Sequence, residues 1–340
     1  MTDEARIANR RLSDMERGQG REIYESLPRQ IQLEPTNRCN LSCRSCARNV
    51  YSRELNPPAD LSRELLDVVR PLFVTAEEVL LGGYGEPLLC PDFLSIAAAV
   101  KSSGAALTVV TNGTLLDDAL AGALAELGAD EIILSVDAAC DELLKQARGV
   151  TLERLNAAVQ ALNSARAGGA PDLIVQMVLS TETVAELPDM VRLAHGWRAR
   201  GLRAVLQKIY DARQEHWSLP GRPELAGEPF KEAEAAAREL GLDLALPALQ
   251  GSADCVMPLE MLLIRADGTV HGCCSAVFGG SPFTLELGSA FKIDPRDLWN
   301  AEPMRLFRRA VQGRAEFPEP CRECAFRVIS HTSHLRFLTS

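Results

Sequence analysis

Short apolar runs alternate with Ala/Leu-rich amphipathic stretches through about residue 210. The runs 31–35, Glu78–Gly82, Ala106–Thr111, Glu131–Val136, Leu173–Leu179 and Arg203–Ile209 are near-continuously apolar, as strands buried on both faces of a parallel sheet must be. Between them, Leu61–Leu72, Phe93–Ser103, Leu115–Leu127, Leu152–Ala167 and Ala185–Arg200 repeat apolar residues at helical spacing. This alternation predicts an α/β fold, a partial (β/α)6 TIM-like barrel with its chemistry at the C-terminal strand ends. From Asp211 to Ala248 the pattern lapses. Pro220, Gly221, Pro223 and Pro229 precede a helical Lys231–Leu240, and the stretch reads as a connector. Beyond it, Met261–Arg265 and Val270–Cys274 form a hairpin-like pair around Ala266-Asp-Gly-Thr269, followed by a helix near Pro295–Gln312 and a cysteine-rich end. The predicted division is an N-terminal extension over 1–30, a barrel over 31–212, a connector with a helix over 213–254, a small α+β domain over 255–328 and a tail over 329–340.

At 340 residues the chain can bury one large core with a small module beside it. It carries 46 Asp+Glu against 36 Lys+Arg and no basic block, which argues against nucleic acid as the main partner. No apolar stretch approaches membrane-spanning length, and Met1–Gly20 is polar and charged, unlike a signal peptide. Ten cysteines in such a chain point to metal or catalytic thiols in a reducing compartment rather than to disulfides. A cytoplasmic enzyme is the expectation.

Three of those cysteines, Cys39, Cys43 and Cys46, fall in the run Thr36-Asn-Arg-Cys-Asn-Leu-Ser-Cys-Arg-Ser-Cys46, just after the first apolar run. Three thiolates in one tight loop, with no fourth nearby, can hold three corners of a four-iron cluster and leave one iron without a protein ligand. An open metal position binds and activates a small molecule, whereas a closed four-ligand site is structural. By spacing alone, a zinc loop is an equal alternative. The CxxxCxxC pattern, its place after a first strand and the motifs that follow in order resemble the radical S-adenosylmethionine (SAM) enzymes. The resemblance implies a SAM-binding [4Fe-4S] cluster on these three residues and hydrogen abstraction by a 5′-deoxyadenosyl radical. One position departs from the family: the residue before the third cysteine, often aromatic and covering the adenine, is Ser45.

The second predicted strand ends in Leu81-Gly-Gly-Tyr-Gly-Glu-Pro-Leu-Leu89, where glycines let backbone approach a ligand closely. Alone it is an ordinary tight turn. Behind CxxxCxxC it resembles the family's Gly-Gly-Glu-Pro segment, which implies that Gly83, Gly85 and Glu86 bind the methionine ammonium. Thr111-Asn-Gly-Thr-Leu-Leu116 ends the third strand, and Asn112 is either a turn residue or a cofactor contact. Ser135, near the end of the fourth strand, matches positions that contact the SAM ribose and carboxylate, while Asp137 is a candidate helix cap. Gln176, Gln207 and Lys208 are polar residues within apolar strands and weaker candidates for the barrel lumen.

At the other end, Cys255, Cys273, Cys321 and Cys324 bring together a hairpin and a CxxC loop, enough to close a tetrahedral zinc or iron–sulfur site. The set resembles the twitch module, a shortened SPASM domain carrying one auxiliary [4Fe-4S] cluster, with Pro295-Arg-Asp-Leu-Trp-Asn300 as its helical stretch. A full SPASM domain uses more cysteines than this region has. The fold expected is therefore the partial barrel followed by a small α+β twitch (SPASM-like) iron–sulfur domain. Of the remaining cysteines, Cys90 reads as a packing residue, and Cys274 either as one or as a substitute for the adjoining Cys273. Cys140, in the loop after strand four, is placed to return a hydrogen atom to a substrate radical. His216 and Trp217 lie in the connector, His271 near the second cysteine set, and Arg308-Arg309 is expected to face solvent.

The resemblance implies a small-molecule or oligosaccharide substrate and a flavodoxin- or ferredoxin-type electron donor. The reading favoured is a radical SAM epimerase inverting one sugar carbon, with Cys140 as catalytic hydrogen donor, as in sugar epimerases of antibiotic pathways. Its rivals are dehydrogenation of a secondary alcohol through the auxiliary cluster, with Asp137 or Lys208 taking the proton, and peptide maturation. A zinc-stabilised, non-catalytic binding protein is the alternative from another class.

Overall fold

A segment whose side chains are buried on both faces must satisfy its backbone by pairing, so the apolar runs form strands and the amphipathic runs cover them as helices. The computed structural model describes residues 2–49, 56–166, 169–210, 212–249, 257–273 and 285–322. Cys255, Cys274, Cys324 and the predicted tail lie outside them. In chain order the elements are α1 Thr2–Gly18, β1 Gln30–Leu33, α2 Arg63–Val69, β2 Glu78–Leu81, α3 Phe93–Ser103, β3 Ala106–Thr111, α4 Asp118–Glu126, β4 Glu131–Ser135, α5 Asp141–Arg148, α6 Leu152–Ala165, β5 Asp172–Leu179, α7 Leu187–Gly196, β6 Gly201–Leu206, α8 Gly227–Leu240 and β7 Asp243–Ala245. Then follow α9 Met257–Glu260, β8 Met261–Ile264, β9 Thr269–His271, β10 Glu286–Ser289, α10 Pro295–Leu298, α11 Glu302–Val311 and α12 Glu319–Arg322. Described residues within Met1–Cys39, Tyr51–Val109 and Asp254–Arg327 make one unit, and those within Asn40–Val50 and Val110–Ala253 another.

In the first unit the strands run β10-β9-β8-β1-β2-β3. The β8–β1, β1–β2 and β2–β3 pairs are parallel, whereas β8–β9 and β9–β10 are antiparallel. Ile31 stands opposite Val79 and Leu262, and Leu33 opposite Leu81 and Ile264. All six are fully buried, together with Leu65 and Val69 of α2 and Ile96 and Val100 of α3. The C-terminal hairpin thus extends the ladder that begins at β1. In the second unit β4, β5, β6 and β7 are successive parallel neighbours, with Leu134 opposite Val175 and Ser135 opposite Gln176. There α4 packs on α6, and α7 on α8.

Helix ends follow side-chain chemistry. Ser62, Asp117 and Thr151 cap α2, α4 and α6 by accepting the N–H of Leu65, Leu120 and Arg154. Gly104, Gly149 and Gly241 end α3, α5 and α8 in the left-handed conformation.

One element is new and two expectations need correction. The N-terminal extension is largely helix α1, whose inward face is polar: Arg6 donates to Ala76 O and Ser103 O, and Glu16 accepts from the Ser26 hydroxyl and the Glu25 N–H. The predicted helix near 295–312 is two helices, α10 and α11, with Pro303 in the first turn of α11. Arg308 does not face solvent. It is fully buried, its guanidinium 3.8 Å from the Tyr24 ring centre and 4.7 Å from that of Trp299. Three oxygens, Glu22 O, Asn300 Oδ1 and Trp299 O, accept from it at 2.7–2.9 Å. Burial pulls its pKa down to about 10, which leaves it charged at neutral pH. Among the described residues no helix is long and apolar enough to cross a membrane.

Candidate functional site

In the first unit β1 ends at Leu33 and the chain runs on through Glu34 to Cys39. Glu34 is 1% exposed. Its Oε1 accepts the Tyr84 N–H at 2.9 Å, its Oε2 the Ala266 N–H at 3.3 Å, and Arg265 stands 3.7 Å away. Burial pushes the Glu34 carboxyl above its ordinary pKa against the pull of Arg265 and the two N–H groups. One carboxylate thereby ties the strand end to both the Gly-rich turn and the Ala266 turn of the hairpin.

The glycines of that turn leave no room for a side chain. A Cβ on Gly85 would lie 2.0 Å from Thr36 O and 2.6 Å from Arg38 O, both backbone, and a Cβ on Gly83 would lie 2.5 Å from Glu34 Oε1. The Glu86 N–H donates to Arg38 O at 2.8 Å. Glu86 itself is buried and its Oε1 accepts the Leu88 N–H at 3.3 Å. Arg38, just before Cys39, is held by Asp60 and donates to Leu89 O at 3.2 Å. Cys90 is buried, which pushes its thiol up in pKa and suits the packing role expected of it.

Cys39, Cys43 and Cys46 are each half-buried. In the second unit the segment after Cys39 is built of turns: Cys46 N–H donates to Cys43 O at 3.0 Å, and the Asn49 side chain to the same oxygen at 2.6 Å. Asn40 donates to Thr114 Oγ1 at 2.7 Å and accepts from Asn112 Nδ2 at 3.0 Å. Asn112 Oδ1 also accepts the Thr114 N–H, beside Gly113 at φ +75°. Asn112 is therefore both the turn residue and a brace for the cysteine segment. The Arg44 N–H, between Cys43 and Cys46, donates to Ala147 O in the last turn of α5 at 2.9 Å.

Asp137 does not cap α5, as the sequence alternative had it. It is buried, paired with Arg148 at 2.6 Å, and accepts the Val178 N–H at 3.0 Å. Burial works against the Arg148 charge, but pairing with Asp137 helps to offset this, and the net shift is upward, which keeps the guanidinium charged. Ser135 is buried at the end of β4, with the half-buried Gln176 in register beside it. Gln207 and Lys208 lie just past β6, which starts at Gly201 and ends at Leu206, earlier than the apolar run implied. Cys140 is exposed at the N-cap of α5, and its N–H donates to Glu186 Oε2 at 3.1 Å.

Of the second cysteine set, Cys273 follows β9 by two residues and is half-buried, and Cys321 of α12 is buried against Leu259, Phe307 and Phe317. A Cβ on Gly272 would meet Met304 Sδ at 2.4 Å, so the turn that presents Cys273 lies flat on α11. His271 is buried, and burial pulls its pKa to about 4, leaving it neutral at pH 7.

Among the described residues no three His, Cys, Asp or Glu side chains converge as the ligands of a single ion do. A four-iron cluster asks something else, since each cysteine meets a different iron. Three half-buried thiols on one short loop suit that donor chemistry. Sequence reasoning missed Glu34 and Arg148; of the two, only Glu34 carries a signal, a charged residue at the edge of an apolar run.

Comparison with known proteins agrees with this arrangement. The Radical SAM superfamily model matches residues 33–194, and the iron–sulfur cluster-binding SPASM domain model matches 255–325. The chain is 27% identical over 330 residues to a tungsten-containing aldehyde ferredoxin oxidoreductase cofactor-modifying protein of Pyrococcus furiosus, covering 87% of each. It is 27% identical over 320 residues to a PqqA peptide cyclase of Gluconobacter oxydans, covering 88% of this chain and 83% of that one. Among solved structures, Streptococcus suis SuiB bound to S-adenosylmethionine superposes with a TM-score of 0.66 at 15% identity, covering 94% of this chain and 75% of SuiB. These matches support the expected TIM-like α/β fold with its added C-terminal domain. The chain carries a radical SAM domain followed by a SPASM-type domain, the build of a radical SAM enzyme whose cofactors are SAM, a four-iron cluster and auxiliary iron–sulfur chemistry.

Proposed function

We propose that this radical SAM enzyme acts on a peptide. Cys39, Cys43 and Cys46 hold the SAM-binding cluster, and Cys255, Cys273, Cys321 and Cys324 hold one auxiliary cluster. The observation that carries the substrate class is the match to the PqqA peptide cyclase along 88% of this chain. When bound, SAM and the reduced cluster supply a 5′-deoxyadenosyl radical able to take a hydrogen atom from an unactivated carbon.

The chain's own residues position and insulate that chemistry. Gly83 and Gly85 keep backbone bare where the cofactor's methionine end is held, and Glu86 supplies a buried carboxylate for its ammonium. Asn112 fixes the segment after Cys39 through Asn40. Ser135 at the end of β4 and Gln176 beside it within β5 would offer polar atoms to the cofactor. Asp137 keeps Arg148 charged in the last turn of α5, the turn whose Ala147 O accepts the Arg44 N–H. Asp137 accepts from Arg148 and from the Val178 N–H.

A second reading, epimerisation, is favoured by the exposed Cys140. A thiol gives up a hydrogen atom readily, so it can quench a substrate radical from the face opposite abstraction. The eight residues of α5 separate Cys140 from the anchor of Arg44 by roughly 10 Å along the helix, so Cys140 is no ligand of that loop. A hexose of an oligosaccharide, as in the avilamycin-pathway epimerase that the sequence brings to mind, is the substrate class for this reading.

The test is anaerobic reconstitution followed by SAM, dithionite and short peptides encoded beside the gene, in deuterated water. Peptide modification should give 5′-deoxyadenosine in step with a peptide that has lost hydrogens or gained one solvent deuteron. Unchanged peptides, alongside deuterium in a hexose-containing oligosaccharide, would remove the peptide reading in favour of sugar epimerisation.

A further inference from the structure

Only Arg44 and Ser45 separate Cys43 from Cys46, and Arg44 is tied at both its ends. Its N–H is bound by Ala147 O at 2.9 Å, and its guanidinium pairs with Glu182 and lies 4.9 Å from the centre of the Trp217 ring. Glu182 divides its carboxylate, giving Oε2 to Arg44 and accepting the Trp217 indole N–H on Oε1 at 3.1 Å. Trp217 closes the one-to-two-turn helix Ala212–Trp217 and is 9% exposed. The loop that carries Glu182 is sewn to that helix a second time. The Thr181 hydroxyl donates to His216 O at 2.8 Å and the Thr181 N–H to Trp217 O at 3.2 Å. Three segments of the second unit, the cysteine loop, the turn after β5 and the connector helix, therefore meet on one guanidinium.

The geometry points to a clasp: Glu182 and Trp217 hold the Cys43–Cys46 segment through Arg44 and so set how firmly the loop retains its cluster. They are positioning residues, since neither touches iron. The inference rests on the assignment of Cys39, Cys43 and Cys46 as cluster ligands. Retention needs the loop to stay folded over its irons, and each time the loop opens a chelator can compete for them. An ion pair of this exposure adds little to global stability, yet it bears directly on that local opening. Because one carboxylate serves both partners, loss of Glu182 removes the polar hold on both and leaves Arg44 only its direct contact with the Trp217 ring. Loss of Arg44 after Glu182 should then add little.

The experiment is release of iron to a ferrous chelator, followed by absorbance, from anaerobically reconstituted protein. Wild type would be compared with Glu182→Gln, Trp217→Phe, Arg44→Lys and the double variant Glu182→Gln/Arg44→Met. Glu182→Gln should release iron about two- to fivefold faster, the range expected of a half-exposed ion pair. Trp217→Phe should do so by less, Arg44→Lys should keep most of the wild-type retention, and the double variant should exceed Glu182→Gln only slightly, since just the contact with the Trp217 ring is left to lose. Raising the salt should bring wild type toward Glu182→Gln. Glu182→Gln is nearly isosteric, so it remains informative if Trp217→Phe fails to fold. Wild-type release rates in all variants would overturn the clasp, provided that Cys43→Ala lowers the iron bound per chain. Unchanged iron in Cys43→Ala would instead overturn the ligand assignment and take the clasp with it.

Discussion

The Gly-rich turn of the first unit and the arginine clasp of the second both restrain the chain that bears the cysteines, and they do so by opposite means. Around Gly83 and Gly85 the restraint is steric: backbone lies on backbone and on a carboxylate that is 1% exposed. Around Arg44 it is polar and half exposed, with side chains 41% and 36% open at the ion pair. A steric cradle tolerates almost no substitution and is insensitive to salt. A polar clasp tolerates much, and responds to ionic strength and to the loss of a single partner.

The sharpest way to break this contrast is Gly85→Ala. With backbone oxygens at 2.0 and 2.6 Å, the new methyl can be relieved only by moving the main chain. A loss of about 3 kcal/mol in urea unfolding is expected, with SAM binding abolished. Retention of SAM binding would show the cradle to be pliable. Gly83→Ala meets a side chain instead and should cost about 1–2 kcal/mol, and Glu34→Ala in the same chain should relieve part of that cost. Equal costs with and without Glu34 would mean that another contact limits the site.

Glu34 also gives the cradle a pH signature. Its folded pKa is raised, so ionising it costs the folded state more than the unfolded one. Its contribution to stability is fully present below the ordinary value of about 4.5 and is lost as pH rises through the folded value. The Glu34→Gln protein should therefore lose less stability than wild type as pH rises above the ordinary carboxyl value of about 4.5, as urea midpoints would reveal. The smallest effect belongs to the clasp. Glu182→Gln should lower global stability by less than about 1 kcal/mol, and less still at high salt. A larger, salt-independent loss would make the clasp a second cradle.

Much of the scaffold was readable from the chain because its strands are buried on both faces and need uninterrupted apolar side chains, as in Ile132, Ile133 and Leu134. The cysteine loop and the Gly-rich turn were readable because their residue types have few other uses at that spacing. What stayed hidden has a common cause. Helix α1 buries Arg6, Asn9, Ser13 and Glu16, so an apolar stripe could not announce it. Arg308 reads as a surface charge until Tyr24, far away in sequence, and Trp299, nine residues before it, are seen to lie against it. Glu34 and Asp137 become informative only once their partners, Arg265 and Arg148, are placed in space. Burial of charge is a tertiary property, and one-dimensional pattern carries little of it.

The parallel pairing of β8 with β1 has a practical corollary. A chain cut just before Met257 would strip one flank from the strand that leads into Cys39 and leave a row of unmet amide and carbonyl groups there. Such a truncated protein should self-associate or precipitate rather than persist as a tidy half-enzyme, so the iron-binding C-terminal portion is better studied by point substitution than by amputation.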